Sequence, residues 1–306
     1  MKLLIIGKIP PPIGGVTIHV QRLLENLDKI NYPYIFINLN FLNIPIITKQ
    51  IIFSSKIHLH SSNTFFKLLI TIICFFLNKK LIITNHGNLN RYGNLKDFLD
   101  KLSIKWCYTA IVLNDYSLDI AKKINKRTVK ISSFLPPVKE NLLEANIQAD
   151  LLNIKMRYLK ICCTNASGYH TDKNGNDIYG IEELIKEFNK LKDYALIISD
   201  PSGDYSSKFS NIANSNILFI NEKHSYYEVI KFCDITIRNT TTDGDSVSVK
   251  ESLYLNKLTL ATSCVSRPEG TIQYDKFNIS LLNNSNIITS NNLNGFNELV
   301  NLYNKI

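Results

Sequence analysis

The chain has 306 residues, of which 45% are hydrophobic and 20% are charged, and its 35 Lys and Arg against 26 Asp and Glu give a net charge of +9. This length allows a large buried core and suggests about two domains. The proportions are typical of a soluble globular protein and exclude the disordered and fibrous classes.

The apolar segments are too short for a secretory leader or a membrane span. Met1 and Lys2 lead directly into Leu3–Ile6, which is shorter than the apolar region of a signal peptide. The longest apolar run, Phe65–Leu77, is interrupted by Lys67 and falls short of the roughly 20 residues that a bilayer requires. We therefore expect a cytoplasmic protein in which this run forms a buried or surface-lying helix.

The cysteines predict reduced core thiols. None of the six forms a Cys-x-x-Cys pair and most lie in apolar stretches, which argues against a zinc or disulfide framework. They are Cys74, Cys107, Cys162, Cys163, Cys233 and Cys264.

The positive charge is concentrated in the first half of the chain. Residues 1–135 carry 18 Lys and Arg against 6 Asp and Glu, whereas residues 136–306 carry 17 against 20. A basic lobe attracts anionic lipid headgroups, nucleic acid or phosphorylated ligands, although a solvated basic surface explains the charge as well. Because no recognised nucleic-acid-binding motif accompanies it, we expect no nucleic-acid partner.

Short apolar strands alternate with helical patterns along the first half. The predicted elements are the strand Leu3–Gly7, a helix with an apolar face from Val16 to Leu27, the strands Tyr34–Leu39 and Ile57–His60, the helix Phe65–Leu77, the strand Leu81–Thr84, the helix Leu95–Trp106, the strand Ala110–Leu113 and the helix Asp115–Lys123.

A break at Leu135-Pro136-Pro137 precedes a second series, because two prolines disfavour both a helix and a central strand. This series comprises the strand Leu159–Thr164, the helix Ile181–Leu191, the strands Ala195–Ser199 and Ile217–Ile220, the helix Ser225–Phe232, the strand Asp234–Arg238, the helix Val247–Leu255, the strand Leu258–Thr262 and a last helix near Phe296–Tyr303.

Two such series predict an α/β protein with two Rossmann-like lobes and parallel sheets. We assign residues 1–135 to the first domain, 136–158 to a linker and 159–306 to the second domain. Open parallel sheets bind ligands at the carboxyl ends of their strands, so the loops that follow strands are the candidate sites.

The first candidate loop, Pro10–Gly15, follows the first strand. Gly14 and Gly15 allow backbone N–H groups to approach an anion at a helix N-terminus. The loop matches neither Gly-x-Gly-x-x-Gly nor a P-loop, which argues against NAD and Walker-type ATP binding. A tight turn that serves only packing is the alternative.

Two further loops offer polar or small residues after a strand. His86 follows Asn85 and could donate a hydrogen bond to a sugar hydroxyl or act as an acid or base, although a lone loop histidine is also commonly a surface residue. Asn165, Ser167 and Gly168 follow the first strand of the second lobe, where small residues permit close approach to a diphosphate.

The fourth loop connects Arg238 to a helix that bears Glu251. Ser246 is a suitable N-cap, and the turn Gly244–Val247 would direct N–H groups at an anion. Asp243-Gly244-Asp245 also matches the Asp-x-Asp metal motif, but the position next to a helix N-terminus and the lack of a third hard ligand favour no metal. An ordinary loop with an Asx turn is the alternative.

Together these loops resemble glycosyltransferase family 4, specifically bacterial enzymes of O-antigen or capsule assembly. The likeness is carried in matching order by three stretches: Pro10–Val20 (PPPIGGVTIHV), Asn165–Glu182 (NASGYHTDKNGNDIYGIE) and Arg238–Gly270 (RNTTTDGDSVSVKESLYLNKLTLATSCVSRPEG).

The resemblance implies a GT-B fold, in which two Rossmann-like lobes with parallel sheets face each other across a cleft. The family's Glu-x7-Glu element reads here as Asp243-x7-Glu251, with a shorter first acid. By resemblance, Glu251 would hold the ribose and Asp243 the hydroxyls of the transferred sugar.

The resemblance also implies roles in the other loops. Gly14 and Gly15 would lie against the donor phosphates, together with Asn165, Ser167 and Gly168. His86 would lie near the transferred sugar. The turn residues Gly244, Asp245, Ser246 and Val247 complete the predicted donor site, and His19 and Asn85 are placed on the acceptor side.

Two departures from the family pattern stand out. The family usually has an Arg and a Lys after the first strand of the second lobe, and these cations neutralise the diphosphate. Here Asn165 and Ser167 occupy those positions, and Lys173 is out of register. We therefore expect Arg238 to supply the positive charge instead. The chain is also short at its C-terminus, so we expect the long helix that returns to the first lobe to be cut back.

The sequence therefore predicts a retaining, metal-independent glycosyltransferase that needs no cofactor besides its nucleotide-sugar donor, with Asp243, Arg238 and His86 as catalytic residues. The acceptor would be a lipid-linked glycan at the inner face of the cytoplasmic membrane, to which the basic first lobe would bind peripherally. A nucleotide-sugar epimerase of the same architecture and a non-catalytic nucleotide-binding, membrane-associated protein are the alternatives.

Overall fold

The structure is a computed structural model and describes residues 2–11, 14–40, 43–90, 93–139, 141–172, 175–243, 245–284 and 293–306. The chain divides into two compact units. The first unit comprises Met1–Lys139 together with Asn294–Ile306, and the second comprises Glu140–Leu293.

The first unit is built on a parallel sheet of six strands in the order β2-β1-β3-β4-β5-β6. The strands are β1 (Leu3–Gly7), β2 (Tyr34–Asn38), β3 (Lys56–His60), β4 (Lys80–Thr84), β5 (Thr109–Val112) and β6 (Val129–Lys130). Near-continuous apolar runs such as Leu3–Ile6 suit strands that are covered on both faces. The strand order changes direction between β1 and β3, so this unit has its topological switch point there.

Helices cover both faces of this sheet. They are α1 (Gly15–Lys29), α2 (Ile44–Phe53), α3 (Thr64–Phe76), α4 (Asn94–Trp106), α5 (Asp115–Ile124) and, from the end of the chain, α11 (Phe296–Lys305). Side chains alternate between the two faces with the period of a strand. Leu4 and Ile6 pack in the core beneath α2 and α3, whereas Leu3 and Ile5 pack in the core formed with α1 and α11.

The second unit repeats this plan with a parallel sheet in the order β12-β11-β10-β7-β8-β9. Its strands are β7 (Lys160–Asn165), β8 (Tyr194–Ser199), β9 (Ile217–Ile220), β10 (Ile235–Arg238), β11 (Leu258–Thr262) and β12 (Ile272–Tyr274). Its helices are α6 (Ala145–Arg157), α7 (Ile181–Phe188), α8 (Asp204–Phe209), α9 (Tyr226–Phe232), α10 (Val247–Tyr254) and the 3₁₀ helix Ile279–Asn283. Here the switch point lies between β7 and β10.

The domain boundaries differ from those of the sequence analysis in two places. Residues 136–158, which we assigned to a linker, contain α6, and its apolar residues Ile147, Leu151 and Ile154 pack in the core of the second unit. Residues 294–306, which we assigned to the second domain, form α11 of the first unit, where Tyr303 is fully buried.

Both differences have the same physical origin. The apolar stripes of α6 and α11 are clear at helical spacing, but a stripe indicates only that one face is buried and not which sheet it covers. The hydroxyl of Tyr303 lies 2.6 Å from Nδ1 of the buried His58, a contact between residues 245 positions apart. The sequence analysis also gave no helix between β2 and β3, where α2 begins with a proline in its first turn.

Two smaller expectations concern thiols and membrane spans. All six cysteines are free, and five are buried as expected, whereas Cys264 is exposed. None of the helices in the described ranges is long and apolar enough to cross a membrane.

Candidate functional site

The N-terminus of α1 begins in the glycine pair that follows β1. Gly14 is the N-cap, and its backbone N–H donates to Oγ1 of Thr17, which donates in turn to the carbonyl of Gly14, both at 3.0 Å. Both glycines are exposed, and a Cβ added to Gly15 would meet nothing within 4 Å. The packing of the described residues therefore does not require glycine at position 15.

Two of the predicted histidines meet at the carboxyl edge of the first sheet. His19 on α1 and His86 after β4 have ring centroids 5.0 Å apart. A third ring, that of His60 at the end of β3, lies 5.3 Å from both by ring centroid, and its Nδ1 is 3.0 Å from Nε2 of His86. The sequence analysis gave His60 no role. The signal that could have found it is its position at the end of a strand next to the switch point of the sheet.

Asn85 is held in one orientation by a buried ion pair. Lys67 donates from Nζ to Oδ1 of Asn85 and to Oδ1 of Asp100, both at 2.9 Å. Because an ammonium group only donates, the amide oxygen of Asn85 must face Lys67 and the amide nitrogen must point away. That nitrogen is buried and has no hydrogen-bond partner among the described residues, so it is oriented to donate to a ligand.

The switch point of the second unit brings Asn165 and Arg238 together. Asn165 ends β7 and Arg238 ends the neighbouring strand β10. Nη1 of Arg238 donates to the backbone carbonyl and to Oδ1 of Asn165, both at 3.3 Å, and its guanidinium lies 5.1 Å from the ring centroid of Tyr179. The only cation among the predicted donor-site residues therefore lies where ligands of open parallel sheets bind.

Asp243 is bound by two arginines. Arg238 contacts both carboxylate oxygens, from Nε to Oδ2 at 3.1 Å and from Nη2 to Oδ1 at 3.3 Å, and Nη1 of Arg267 contacts Oδ2 at 2.8 Å. The side chains of Asp243 and Arg267 are 8% and 1% exposed. Two guanidiniums share one carboxylate, so the group carries a net positive charge.

Arg267 is a residue that sequence reasoning missed. It donates from Nε to the backbone carbonyl of Thr262 at 2.9 Å, which fixes the guanidinium under the loop that contains Asp243. An arginine beyond the end of β11 gives no motif by itself. Its contact with Asp243 spans 24 positions and arises only because β10 and β11 are neighbours in the sheet.

Electrostatics keep this group ionised. Burial alone would raise the pKa of Asp243, but Arg238 and then Arg267 lower it below its ordinary value. Burial opposes the charge of Arg238, and Asp243 outweighs that effect and raises the pKa of Arg238. The carboxylate therefore holds Arg238 in its charged form in a largely buried position.

The remaining predicted donor-site residues surround the start of α10. Ser246 is the N-cap as predicted, but its side chain makes no capping hydrogen bond and lies 3.0 Å from Oγ of Ser248. Asp245 accepts from Lys250 at 2.5 Å, Val247 is the first helical residue, and Glu251 is buried. Gly244 lies outside the described residues.

The loop after β7 is shaped by contacts that do not involve Arg238. Oγ of Ser167 lies 2.6 Å from the hydroxyl of Tyr179. Gly168 has a φ of +151°, and a Cβ there would approach Oδ2 of Asp204 to 3.2 Å. Glycine at 168 is thus explained by its backbone conformation and by the carboxylate of Asp204, which also accepts from the N–H of Tyr169.

No protein-family model matches the chain, and no curated protein matches it by sequence. Solved structures are similar to it. Anabaena HepE in complex with UDP has a TM-score of 0.64 at 10% identity, over 100% of this chain and 90% of that one. Sucrose-phosphate synthase from Thermosynechococcus elongatus has 0.61 at 11% identity, over 92% and 88%.

WaaG, a glycosyltransferase involved in lipopolysaccharide biosynthesis, has a TM-score of 0.56 at 9% identity, over 86% of this chain and 81% of that one. At these identities the likeness concerns the fold. The predicted GT-B fold, with two Rossmann-like lobes built on parallel sheets, is confirmed.

Replacing Asp243 by Asn should destabilise the second unit strongly, because it leaves two buried guanidiniums without their counter-ion. We expect a loss of about 3–5 kcal/mol in the free energy of unfolding at pH 7, measured by urea denaturation. Because the pKa of Asp243 is lowered by folding, this stabilisation is complete above the pKa of an unfolded aspartate, about 3.9, and is lost as the pH falls through the lower folded pKa.

Asp115→Asn is the matched control. Asp115 pairs with Lys130 at 2.6 Å on the surface, with a side chain that is 69% exposed, so its loss should cost only about 0–1 kcal/mol. If Asp243→Asn is no more destabilising than Asp115→Asn, the shared carboxylate does not hold the two arginines as described.

Proposed function

We propose that this chain is a glycosyltransferase that moves a sugar from a nucleotide-sugar donor to a lipid-linked glycan in bacterial surface-polysaccharide synthesis. The observation that carries the proposal is the position of Arg238. It is a charged, oriented guanidinium at the switch point of the second unit, next to the loop after β7 and the start of α10. A diphosphate needs such a cation and such N–H donors.

Three further observations support a nucleotide-sugar donor. The fold is that of the GT-B type, and HepE, a structure with this fold, was solved in complex with UDP. The motif order along the chain resembles glycosyltransferase family 4. Ser246 leaves the first N–H groups of α10 without a side-chain cap, so an anion could take that place.

In the proposed reaction the nucleoside diphosphate leaves as the acceptor hydroxyl attacks the same face of the sugar. Arg238 stabilises the negative charge that develops on the leaving phosphate, and the proton of the acceptor hydroxyl passes to that phosphate. The configuration at the sugar carbon is retained. Asp243 holds Arg238 in place, Glu251 binds the ribose, and His86 contacts the transferred sugar.

This transfer would proceed without a metal ion at the donor. The two carboxylates of the Asp-x-Asp motif are already bound by cationic side chains, Asp243 by two arginines and Asp245 by Lys250. A Mg²⁺ or Mn²⁺ ion would have to compete with these partners for its oxygen ligands. Arg238 supplies positive charge to the phosphates in place of such an ion.

The first unit has a surface suited to a membrane-bound acceptor. The helix α3 is apolar on both sides: it packs Phe66, Ile70 and Cys74 in the core and buries Lys67 in its ion pair with Asp100. Phe65, Phe75 and Phe76 on the same helix are nevertheless 57%, 55% and 81% exposed. Ordinary surface helices bury the apolar face and expose the charged one. An exposed apolar face instead indicates a site of interaction.

Three exposed aromatic side chains, Phe53, Phe75 and Phe76, lie at the C-terminal ends of α2 and α3, and with the half-buried Trp106 they form what we call the aromatic edge. Phe75 stacks on Trp106 with centroids 5.7 Å apart, and Lys79 links the end of α3 to α2 through the carbonyl of Ile52 at 2.6 Å. Aromatic rings beside lysines combine apolar insertion with attraction to anionic lipid. We propose peripheral binding at the inner face of the cytoplasmic membrane.

Arg238→Ala should abolish most of the transfer activity. Removing one preorganised stabiliser of the leaving group costs about 10²–10³-fold in kcat. The measurement is release of nucleoside diphosphate from a panel of nucleotide sugars in the presence of a polyprenyl-diphosphate-linked sugar. The control is Arg157→Ala, which removes an exposed arginine of the same unit.

Equal activity of the two variants would refute the assignment of Arg238. The same assay separates the alternatives: an epimerase converts the nucleotide sugar without any acceptor, and a non-catalytic protein binds the nucleotide with no turnover.

Phe53→Ser combined with Phe76→Ser should weaken binding to vesicles that contain anionic lipid by about tenfold or more, since full burial of one Phe is worth about 1.5–3 kcal/mol. Vesicle pelleting measures the partition. Leu142→Ser is the control, because Leu142 is 85% exposed and lies in the second unit. Binding that depends neither on the two phenylalanines nor on anionic lipid would contradict the proposed membrane surface.

A further inference from the structure

Three histidines of the first unit converge from three different elements. We call His19, His60 and His86 the histidine triad; one ring nitrogen of each lies within 4.8 Å of the others. The triad lies at the switch point between β1 and β3, with His60 at the end of β3 and His19 on the helix that follows β1. Its members are 41 and 26 positions apart in the sequence, so only the fold brings them together.

The protonation of His19 is fixed by the backbone. Its Nδ1 lies 2.7 Å from the carbonyl oxygen of Ser133, and a carbonyl oxygen only accepts, so Nδ1 carries the proton and Nε2 carries the lone pair. A histidine that donates one N–H to a carbonyl and directs its other nitrogen elsewhere has the tautomer and the orientation typical of a metal ligand.

His60 has a buried, unsatisfied nitrogen at the carboxyl edge of the first sheet. Its Nδ1 contacts Nε2 of His86, whereas its Nε2 is buried and has no hydrogen-bond partner in the part of the chain that the structure describes. An unsatisfied buried polar atom costs about 1–3 kcal/mol, and in native proteins such an atom commonly marks a bound ion or a functional site.

The triad is electrically suited to a cation. Burial first, and then the neighbouring histidines His58, His19 and His86, lower the pKa of His60 well below its ordinary value, so the ring is neutral at pH 7. A neutral imidazole keeps the lone pair with which it binds a metal ion.

The neighbouring His58 supports the triad without joining it. Its ring centroid lies 4.0 Å from that of His60, but both of its nitrogens are engaged, Nδ1 with the hydroxyl of Tyr303 at 2.6 Å and Nε2 with Oγ1 of Thr84 at 2.7 Å. The ring of His58 is thus held by two hydrogen bonds and packs against His60, which restricts the position of the His60 ring.

We propose that the histidine triad binds one divalent transition-metal ion such as Zn²⁺ through one nitrogen of each ring. A ligand set of three imidazoles without a carboxylate selects Zn²⁺, Co²⁺, Ni²⁺ or Cu²⁺ over Mg²⁺ and Ca²⁺. Three protein ligands leave one tetrahedral position for water or another small ligand.

The distances require only a small adjustment. Tetrahedral zinc with Zn–N bonds of about 2.0–2.1 Å holds its nitrogens about 3.3 Å apart, so shifts of roughly 1 Å suffice to close the site. A neutral imidazole binds the ion through its lone pair and keeps its one proton on the other ring nitrogen, so no proton has to leave the ring.

The metal ion takes no part in the proposed transfer reaction, which uses no metal at the donor phosphates, although the triad shares His86 with it. If His86 contacts the transferred sugar, an ion on the triad would occupy the same side chain and inhibit transfer. Metal binding itself is measured without any substrate, so its failure and the failure of the proposed function are distinguishable.

The test is a titration of the metal-stripped full chain with Co²⁺ and Zn²⁺, followed by the visible absorption of Co²⁺ and by competition with a chromogenic zinc chelator. We expect one ion per chain with a nitrogen-ligated Co²⁺ spectrum. His86→Ala and His19→Ala should each weaken binding by more than about 100-fold, since even loss of a supporting residue around a metal site costs 10–100-fold.

Two controls separate the triad from other ligands. His170→Ala removes an exposed histidine outside the cluster, and Cys264→Ser removes the exposed thiol; both should bind as the unchanged protein does. His86 is only half-buried, so its alanine variant should stay folded, which its urea unfolding curve verifies.

Binding that survives in both His19→Ala and His86→Ala, binding that is lost in Cys264→Ser, or no binding by the unchanged protein would each overturn the proposal.

Discussion

The candidate donor site depends on one carboxylate shared by two arginines. Asp243 is bound by Arg238 and Arg267 in a largely buried position, and neither guanidinium could stay there without it. Because Arg267 also donates to the backbone carbonyl of Thr262 at the end of β11, the carboxylate connects the ends of β10 and β11. Its effect on Arg238 is to leave a charged, oriented cation beside Asn165 at the switch point of the sheet.

The first unit uses a buried charge in a similar way. Lys67 pairs with Asp100 inside the unit and fixes the amide of Asn85, while Phe75 and Phe76 of the same helix are exposed. The ion pair therefore orients a polar group at the carboxyl edge of the sheet, and removing either partner would leave an uncompensated buried charge.

The sequence predicted the fold well because strand and helix periodicity are local signals. The alternating series, the two parallel sheets and the start of α10 at Ser246 all follow from spacing and capping rules. The assignment of α6 and α11 failed because a helix's apolar stripe does not identify the sheet that it covers, and Tyr303 reaches His58 only through tertiary packing.

The sequence allowed several residues of the candidate site to be proposed, but it did not indicate which side chains contact each other. Arg238, Asn165 and His86 were proposed because they end or follow strands, where ligands bind in this class of fold, whereas His19 was proposed with the family resemblance. Arg267 and His60 were missed because their contacts cross neighbouring strands and leave no motif. The predicted contact of Asp243 with a sugar hydroxyl could not anticipate the two arginines, since a carboxylate's partners depend on side-chain positions that no spacing rule gives.

The central claim is that Arg238 and the start of α10 bind the diphosphate of a nucleotide-sugar donor. The most direct measurement is a crystal structure of the chain with a nucleoside diphosphate chosen from a thermal-shift panel, in which a bound ligand raises the unfolding temperature. Our account predicts phosphate oxygens within hydrogen-bond distance of the Arg238 guanidinium and of the first N–H groups of α10. A diphosphate bound away from both, with Arg238 still contacting only Asp243 and Asn165, would contradict it.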